Sequence, residues 1–239
     1  AVVEPLRRDE RPSLNAMPWQ DVMASRSAFL TDYQNTAYAD RYCALVDATA
    51  EAEAKVRGEA GPLTHAVAAN FAKLMAYKDE YEVARLYTDG AFAEALAGSF
   101  EPGAKLSFYL APPILGAKDP VTGVPRKRRF GSWVLPLFKL LAGLKGLRGT
   151  PFDPFGHLAD RRDERALVRQ YEADIQTALA SLKPATYDPA LALATLPDGI
   201  RGYGHVKSAS IETARERRRH ILDQVSDLAS RAKLSEAAE

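Results

Sequence analysis

The segment Lys73–Tyr87 (KLMAYKDEYEVARLY) carries the most informative hydrophobic pattern of the chain. It contains no glycine or proline, and its residues favour a helix. At 100° per residue it would have two apolar faces, roughly opposite one another: Leu74, Tyr77, Tyr81 and Ala84 on one, and Met75, Val83 and Leu86 on the other. A helix that is apolar on two sides is usually buried. The pattern therefore predicts a central helix at a functional or assembly interface.

Charged residues of the same segment fall between the two apolar faces. Lys78, Glu82 and Arg85 form one stripe, with i,i+4 and i,i+3 spacings that favour ion pairing. Because an unpaired buried charge is very costly, we predict that these residues and Asp79 form an internal salt-bridge lattice or pair across an interface. Acid–base or binding roles for these side chains are the alternative.

Helical periodicity continues through most of the chain. A long first helix is predicted to begin with Asp21 as its N-cap, and the last helix to end at about Ala232. A helix ending at Ala76 could continue into the segment after it or kink before it. The predicted helices before the last are Asp21–Arg57, Leu63–Ala76, Ala91–Ala97, a leucine-rich helix from Ser132, Leu158–Leu182 and Pro189–Thr195.

One region has the period of a β-strand. Lys105–Leu110 is short, partly alternating and aromatic, the turn-forming segment Asp119–Gly123 follows it, and Arg126–Phe130 could return as a partner strand. The alternating βαβ pattern of nucleotide-binding α/β folds is not found. The predicted fold class is therefore mainly α, a multi-helix domain with long amphipathic helices and one small β-hairpin.

The first residues mix prolines with charges and do not begin with methionine. We predict that residues 1–20 are a linker from a preceding domain, that residues 21–232 form a single helical domain and that residues 233–239 are a frayed tail. An ordinary N-terminal arm that has lost its methionine is the alternative for the start.

Composition narrows the possible functions. A net charge of +1 argues against bulk attraction to nucleic acid or to a membrane, so neither is predicted as a partner. Cys43 is the only cysteine, so the chain has no disulfide framework and no cysteine-ligated zinc or cluster site. No apolar run reaches the roughly 20 residues of a membrane span, and the start does not resemble a signal peptide. A cytoplasmic location is predicted.

The best candidate anion site is Arg201–Lys207 (RGYGHVK). Two glycines let the backbone approach a ligand, and a helix start there would offer free N–H groups. The predicted site residues are Arg201, Gly202, Gly204, His205 and Lys207. A tight turn between helices is the alternative, and it is favoured because a lone G-x-G is weak evidence. A basic run, Arg126–Arg129, could contact phosphate or an acidic partner, but such a run is more often a solvated edge.

Motifs of self-sufficient enzymes are missing. The sequence contains no G-x-S-x-G, Walker or H-E-x-x-H motif. None of the four histidines has another histidine four residues away, as the two-histidine face of a metal-binding helix requires. No catalytic residue and no metal ligand is therefore predicted, and the residues alone indicate a helical scaffold or interaction domain.

Four blocks nevertheless resemble one known family in their order along the chain. They are Lys73–Tyr87, Phe108–Pro113 (FYLAPP), Phe138–Thr150 (FKLLAGLKGLRGT) and Ile200–Lys207 (IRGYGHVK). Together they look like the C-terminal region of the large, fused indolepyruvate ferredoxin oxidoreductases, members of the 2-oxoacid:acceptor oxidoreductases. The resemblance covers about Phe29 to Leu222.

The resemblance implies a part in a larger enzyme that oxidatively decarboxylates aryl 2-oxo acids to acyl-CoA. Such an enzyme uses thiamine diphosphate, Mg²⁺, iron–sulfur clusters and coenzyme A, and it passes electrons to ferredoxin. In the fused form a thiamine-binding part comes first and this helical region comes last. The implied partners are the catalytic domains of the same polypeptide or complex, ferredoxin, and a second copy in a homodimer.

This segment lacks what the complete enzyme needs. One cysteine cannot hold a cluster, and there is no Gly-Asp-Gly segment followed by Asn to hold thiamine diphosphate through a metal. No cofactor is therefore predicted to bind this segment. The leading hypothesis is an accessory domain that supports the catalytic domains or the dimer, or shapes the substrate or CoA entrance. An independent helical ligand-binding or protein-interaction module is the alternative.

Overall fold

A computed structural model describes residues 14–100, 105–110, 126–202 and 205–236. Within these ranges the chain is mainly α-helical and has a single two-stranded antiparallel hairpin. The predicted fold class is therefore confirmed.

Nine α-helices and two strands are found in the described residues. Short 3-10 turns precede or connect several of the helices. The elements are α1 Trp19–Tyr33, α2 Thr36–Arg57, α3 Pro62–Met75, α4 Glu80–Leu86, α5 Ala91–Ser99, β1 Ser107–Leu110, β2 Arg128–Gly131, α6 Leu135–Gly143, α7 Ala159–Ala180, α8 Tyr187–Thr195 and α9 His205–Glu236.

The single long helix predicted over Asp21–Arg57 is wrong, because α1 and α2 are separate helices. Asn35 lies between them with an extended backbone (φ −170°), and its side chain accepts a hydrogen bond from the N–H of Tyr38 at 2.9 Å. Asparagine is among the strongest N-cap residues, so the break has a local cause. The predicted N-cap Asp21 is also wrong, since this residue lies inside the first turn of α1. The predicted helix end at Arg57 is confirmed, and Gly58 follows it in the left-handed conformation, with φ +89°.

The segment Lys73–Tyr87 is not one helix. α3 ends at Met75, and α4 begins at Glu80. The side chain of Asp79 accepts a hydrogen bond from the N–H of Glu82 at 2.8 Å and so caps α4.

Of the two predicted apolar faces of this segment, only one is buried. All four residues of the first face are buried: Leu74, Tyr77, Tyr81 and Ala84. The second face is wrong, because Leu86 is 44% exposed and Val83 is only half-buried, although Met75 is buried. The break before α4 changes the helical phase, so residues on its two sides no longer share one continuous face.

The chain divides into two compact units. Unit 1 contains the residues up to Ala76 and those from Ala166 onward, and unit 2 is Tyr77–Arg165. The single domain over residues 21–232 stays a prediction. Residues 1–13 of the predicted linker and 237–239 of the predicted tail lie outside the described residues. α9 itself continues to Glu236, beyond its predicted end.

Unit 1 has a large core built by α1, α2, α3, α8 and the later part of α7. Aromatic rings form its centre, with Phe71 stacked on Tyr42 at 6.1 Å and on Tyr171 at 5.8 Å between ring centroids. The hydroxyl of Tyr42 donates to the carbonyl of Ala68, and that of Tyr171 donates to the carbonyl of Ala194. The buried hydroxyls are thus satisfied within the core.

A fully buried carboxylate, Glu53 of α2, fixes the start of α3. It accepts hydrogen bonds from the backbone N–H groups of Gly61, Leu63 and Thr64 at 2.8–3.0 Å. The hydroxyls of Thr64 and Tyr187 also donate to it, at 2.7 and 2.6 Å. Burial alone would raise the pKa of Glu53, but these hydrogen bonds outweigh it and lower the pKa below its usual value. One carboxylate therefore joins α2, α3 and α8.

Unit 2 has a smaller core around an aromatic cluster. Phe108 of β1 pairs with Phe130 of β2 in the hairpin register, and both turn toward this cluster. The ring of Tyr87 contacts those of Phe108 and Phe138 at 5.1 and 5.5 Å. The predicted hairpin therefore forms, and its inner face closes the core of this unit.

We expect Glu53→Gln to lower the free energy of unfolding by about 2 kcal/mol, because a neutral amide leaves buried N–H or O–H donors without an acceptor. Urea unfolding at neutral pH measures this change. The matched control is Glu51→Gln on the same helix, whose exposed side chain should change stability by no more than about 0.5 kcal/mol. Equal stability of the two variants would contradict the role of Glu53.

The same carboxylate predicts a pH dependence. Because the folded-state pKa of Glu53 is lowered, its contribution is complete above the unfolded pKa of about 4.3. It is lost as the pH falls through the folded-state pKa. Unfolding curves measured below about pH 4.5 should therefore show a steeper loss of stability in the unmodified chain than in Glu53→Gln.

Candidate functional site

The centre of unit 2 is a buried ion pair between Asp79 and Arg148. Nε of Arg148 donates to Oδ2 of Asp79 at 2.5 Å, and Nη2 donates to Oδ1 at 3.0 Å. The two side chains are only 3% and 2% exposed. This is the two-pronged geometry in which arginine binds a carboxylate most strongly. Since Asp79 also caps α4, the pair fixes the start of that helix from the turn that follows α6.

A second buried carboxylate, Asp153, organises the loop before α7. It accepts from the hydroxyl of Tyr81 at 3.0 Å and from the N–H groups of Gly149 and Phe155 at 2.9 and 3.1 Å. Burial, followed by this hydrogen bond, raises the pKa of Tyr81 well above its usual value. The phenol therefore stays protonated and donates. The guanidinium of Arg148 lies over the same ring, 5.6 Å from its centroid.

Further ion pairs surround this buried centre. Arg85 donates to Glu82 through two hydrogen bonds of 2.9 and 2.8 Å, and it also lies 3.6 Å from Asp89. Glu80 pairs with Arg161 at 3.2 Å.

The structure brings together three of the four residues of the predicted lattice. Asp79 and Glu82 are buried, and Arg85 is half-buried on Glu82. Lys78 is exposed and precedes α4, so the predicted i,i+4 relation to Glu82 does not form. Whether these charges also serve an interface stays a prediction.

Sequence reasoning missed Arg148, which is the main partner of Asp79. Arg148 stands in a stretch that contains Lys and Arg but no Asp or Glu, which indicates that its partner must come from elsewhere in the chain. The sequence does not show which carboxylate that partner is. Asp153 was also missed, since it stands in a loop that has no helical period.

These groups can stabilise a fold, but they offer little to a substrate. Asp79 accepts two N–H bonds from Arg148 and one from its own helix, and Asp153 accepts three donors. The oxygens that could act as a base are therefore already engaged.

The predicted anion site lies in unit 1, at the turn into α9. Arg201 is exposed, and its Nε donates to the carbonyl of Asp198 at 2.9 Å. Gly202 makes the turn with φ +91°. The hydroxyl of Ser210 donates to the carbonyls of Arg201 and Lys207 at 3.1 and 2.8 Å.

Gly204 and His205 also belong to the predicted anion site. Gly204 lies outside the described residues, and α9 begins at His205, whose side chain is not described. An anion site at this turn therefore stays a prediction.

Lys73 of α3 joins the cations at this turn. Its Nζ donates to the carbonyl of Pro197 at 2.6 Å. Burial lowers the pKa of Lys73, and repulsion from Arg201 and Lys207 lowers it further, against the attraction of Asp198. Sequence reasoning did not connect Lys73 with this turn, because Lys73 lies on α3, 124 residues before Pro197.

Two depressions of unit 1 border α9. An apolar cleft with Leu74, Leu193 and Ile211 in its wall has a volume of only about 40 Å³, enough for water but far below the volume of a ligand pocket. A wider groove of about 670 Å³ runs between α8 and α9. Its hydroxyls on Thr195 and Thr213 donate to carbonyls of their own helices, so they do not converge on a ligand.

The described residues contain no group of three or more His, Cys, Asp or Glu side chains placed to hold a metal ion. Cys43 is a half-buried free thiol. No helix in the described part of the chain is long and apolar enough to cross a membrane.

Fold and site together define a mainly helical protein whose buried carboxylates are held by internal partners. Residues 19–220 match the model of a family of unknown function, DUF6537, and because the match covers most of the chain, the chain belongs to that family. No curated protein and no solved structure matches the chain. The family description names no activity, so the resemblance to indolepyruvate ferredoxin oxidoreductases stays a prediction.

We expect Arg148→Met to lower the free energy of unfolding by about 3–5 kcal/mol, because it leaves the buried charge of Asp79 without its counter-ion. The double variant Asp79→Asn/Arg148→Met should recover about 2 kcal/mol or more, since asparagine keeps the helix cap but carries no charge. Thermal and urea unfolding measure both. Lys139→Met, at an exposed position of α6, is the control. A double variant no more stable than Arg148→Met would contradict the importance of the ion pair.

Proposed function

We propose that this chain is an accessory, mainly helical domain of an indolepyruvate-type ferredoxin oxidoreductase. The whole enzyme would oxidise aryl 2-oxo acids to acyl-CoA. This region would support the catalytic domains or shape the entrance for substrate or CoA, and it would not carry out the chemistry.

One observation carries the proposal: two of the blocks that resemble the family meet at the buried ion pair. Asp79 comes from Lys73–Tyr87, and Arg148 comes from Phe138–Thr150. One residue from each of these two blocks is therefore engaged in holding unit 2 together. A scaffold needs such residues for its fold, whereas a catalytic centre needs groups that remain available to a substrate.

The residues present do not fit the cofactors of the complete enzyme. Cysteine-ligated clusters need several cysteines, and this chain has only Cys43. The sequence also lacks the Gly-Asp-Gly segment that would hold thiamine diphosphate through Mg²⁺. Under this proposal, thiamine diphosphate, Mg²⁺, the clusters and the contact with ferredoxin belong to other parts of the polypeptide or complex.

The reading frame around this chain gives the first test, because in the fused form that the resemblance implies it continues upstream into a thiamine-dependent enzyme. The second test compares the complete polypeptide with residues 1–239 alone. We expect the complete polypeptide to reduce ferredoxin with indolepyruvate and CoA, and the isolated chain to show neither turnover nor heat of binding with thiamine diphosphate. Turnover by the isolated chain would overturn the proposal.

A second candidate function is anion binding by unit 1. The observation that favours it is that Lys73 reaches the turn into α9, where its Nζ donates to the carbonyl of Pro197. Burial lowers the pKa of Lys73, and repulsion from Arg201 and Lys207 lowers it further, against the attraction of Asp198. A phosphate of CoA or the carboxylate of a 2-oxo acid would relieve that repulsion. Under this proposal the same domain would bind part of the substrate while the chemistry occurs elsewhere.

Calorimetry of the chain with CoA and, separately, with indolepyruvate tests this candidate. We expect Arg201→Ala and Lys73→Ala each to weaken binding about tenfold, in line with the loss of one charged contact. Arg215→Ala is the control, because that side chain is exposed on α9 and pairs with Glu212. The absence of any heat with either ligand would eliminate the site, as would equal effects of the three variants.

A further inference from the structure

Unit 2 exposes a stripe of large apolar side chains along α6 and the two short turns that flank it. Trp133, Leu137, Leu140 and Leu144 are 66, 53, 62 and 42% exposed. Spacings of four, three and four residues place them along one side of the helical segment. The adjoining side packs inward, where Val134 and Phe138 are 3% and 7% exposed. The helix therefore presents apolar residues to solvent as well as to its own core.

The stripe lies in a stretch of uniform charge. Residues 126–150 contain seven Lys and Arg side chains and no Asp or Glu: Arg126, Lys127, Arg128, Arg129, Lys139, Lys145 and Arg148. Arg148 is engaged with Asp79, whereas Arg126–Arg129 and Lys139 are exposed. The four apolar side chains and these exposed cations are called the α6 surface below.

Contacts join the basic strand to the apolar stripe. The ring of Trp133 lies 5.9 Å from that of Phe130, the residue that follows Arg129 on β2. The indole also packs against Gly131, where a Cβ atom would lie only 3.2 Å from indole Cδ1. Phe130 therefore joins the first residue of the stripe to β2, on which Arg128 shares the face of Phe130.

The charge decides against a second copy as the partner of this surface. In a two-fold symmetric contact, the same patch faces itself. The cations would then face cations without a single acid in the segment to offset them. A partner with acidic groups is required instead.

The distribution of charged and apolar residues on α6 favours a protein groove over a lipid surface as its binding partner. Helices that lie on membranes have a strongly charged face opposite their apolar face. α6 has one charged residue, Lys139, and another of its sides is packed in the core. By contrast, apolar residues at i, i+4, i+7 and i+11 are the anchors with which a helix fills a groove on a protein.

We propose that the α6 surface docks into an apolar groove with an acidic rim on the catalytic part of the same polypeptide. The inference rests on the proposed function, because it names the surface through which the accessory domain would contact the enzyme. Apolar anchors would contribute most of the binding energy, and the surrounding cations would set orientation and partner choice.

Site-specific photo-crosslinking in the complete polypeptide tests this proposal. The photoreactive residue p-benzoylphenylalanine replaces Leu140, and the matched control carries it at Phe152, which is 82% exposed in the same unit but outside the α6 surface. After irradiation and digestion, mass spectrometry identifies the linked peptides. We expect position 140 to link, about tenfold more efficiently than position 152, to a peptide outside residues 1–239 that combines apolar residues with Asp or Glu.

A charge variant gives the second arm. Arg128→Glu/Lys139→Glu should reduce the cross-link from position 140 about tenfold, whereas Arg162→Glu, an exposed cation of α7 in the same unit, should leave it unchanged. The yield should also fall as salt is raised, because exposed charges are screened.

Several results would overturn the docking proposal. They are cross-links from position 140 only to a second copy of this chain, cross-links to lipid, or a yield no higher than that at position 152. Failure of the proposed function is distinguishable. Turnover of indolepyruvate without the cross-link overturns the α6 surface alone, and the cross-link without turnover overturns the proposed function alone.

Discussion

Burial of charge is the constraint on which both units of this protein depend. A carboxylate removed from water must find cations or hydrogen-bond donors, or it destabilises the fold. In unit 1 Glu53 meets three backbone N–H groups and two hydroxyls, and in unit 2 Asp79 meets Arg148 and a helix N-terminus. Each carboxylate lies where a helix begins, so satisfying its charge also fixes the direction of that helix.

Local signals predicted the helices and the hairpin well, since these depend on period and turn chemistry. The stop after α2 follows from Gly58, and the strand that contains Phe108 follows from alternation. The two helix breaks that were missed have local causes as well. Asn35 and Asp79 act as N-caps that split longer apolar patterns into separate helices, and in both cases the capping residue was already visible in the sequence.

The site was harder to predict, because its partners are distant along the chain. Asp79 was identified as a charge that needs a partner, but Arg148 comes from the turn that follows α6. Likewise, the predicted anion turn was found through its glycines, while Lys73 approaches it from α3, far away in the sequence. Periodicity determines which face of a helix is buried. It does not determine which distant side chain meets a buried charge.

The buried charges of this protein are engaged internally, and α6 carries a basic and apolar surface. Both features are those expected of a domain that acts through contacts with other domains. The most direct test measures catalysis by the complete polypeptide carrying Asp79→Asn/Arg148→Met, with folding checked by unfolding curves. Under the proposed function, if the ion pair is structural, the folded variant should oxidise indolepyruvate with kcat and KM within about threefold of the unmodified polypeptide, a difference below about 1 kcal/mol. A folded variant whose kcat falls by about a hundredfold or more would contradict the central claim and place this pair in the chemistry.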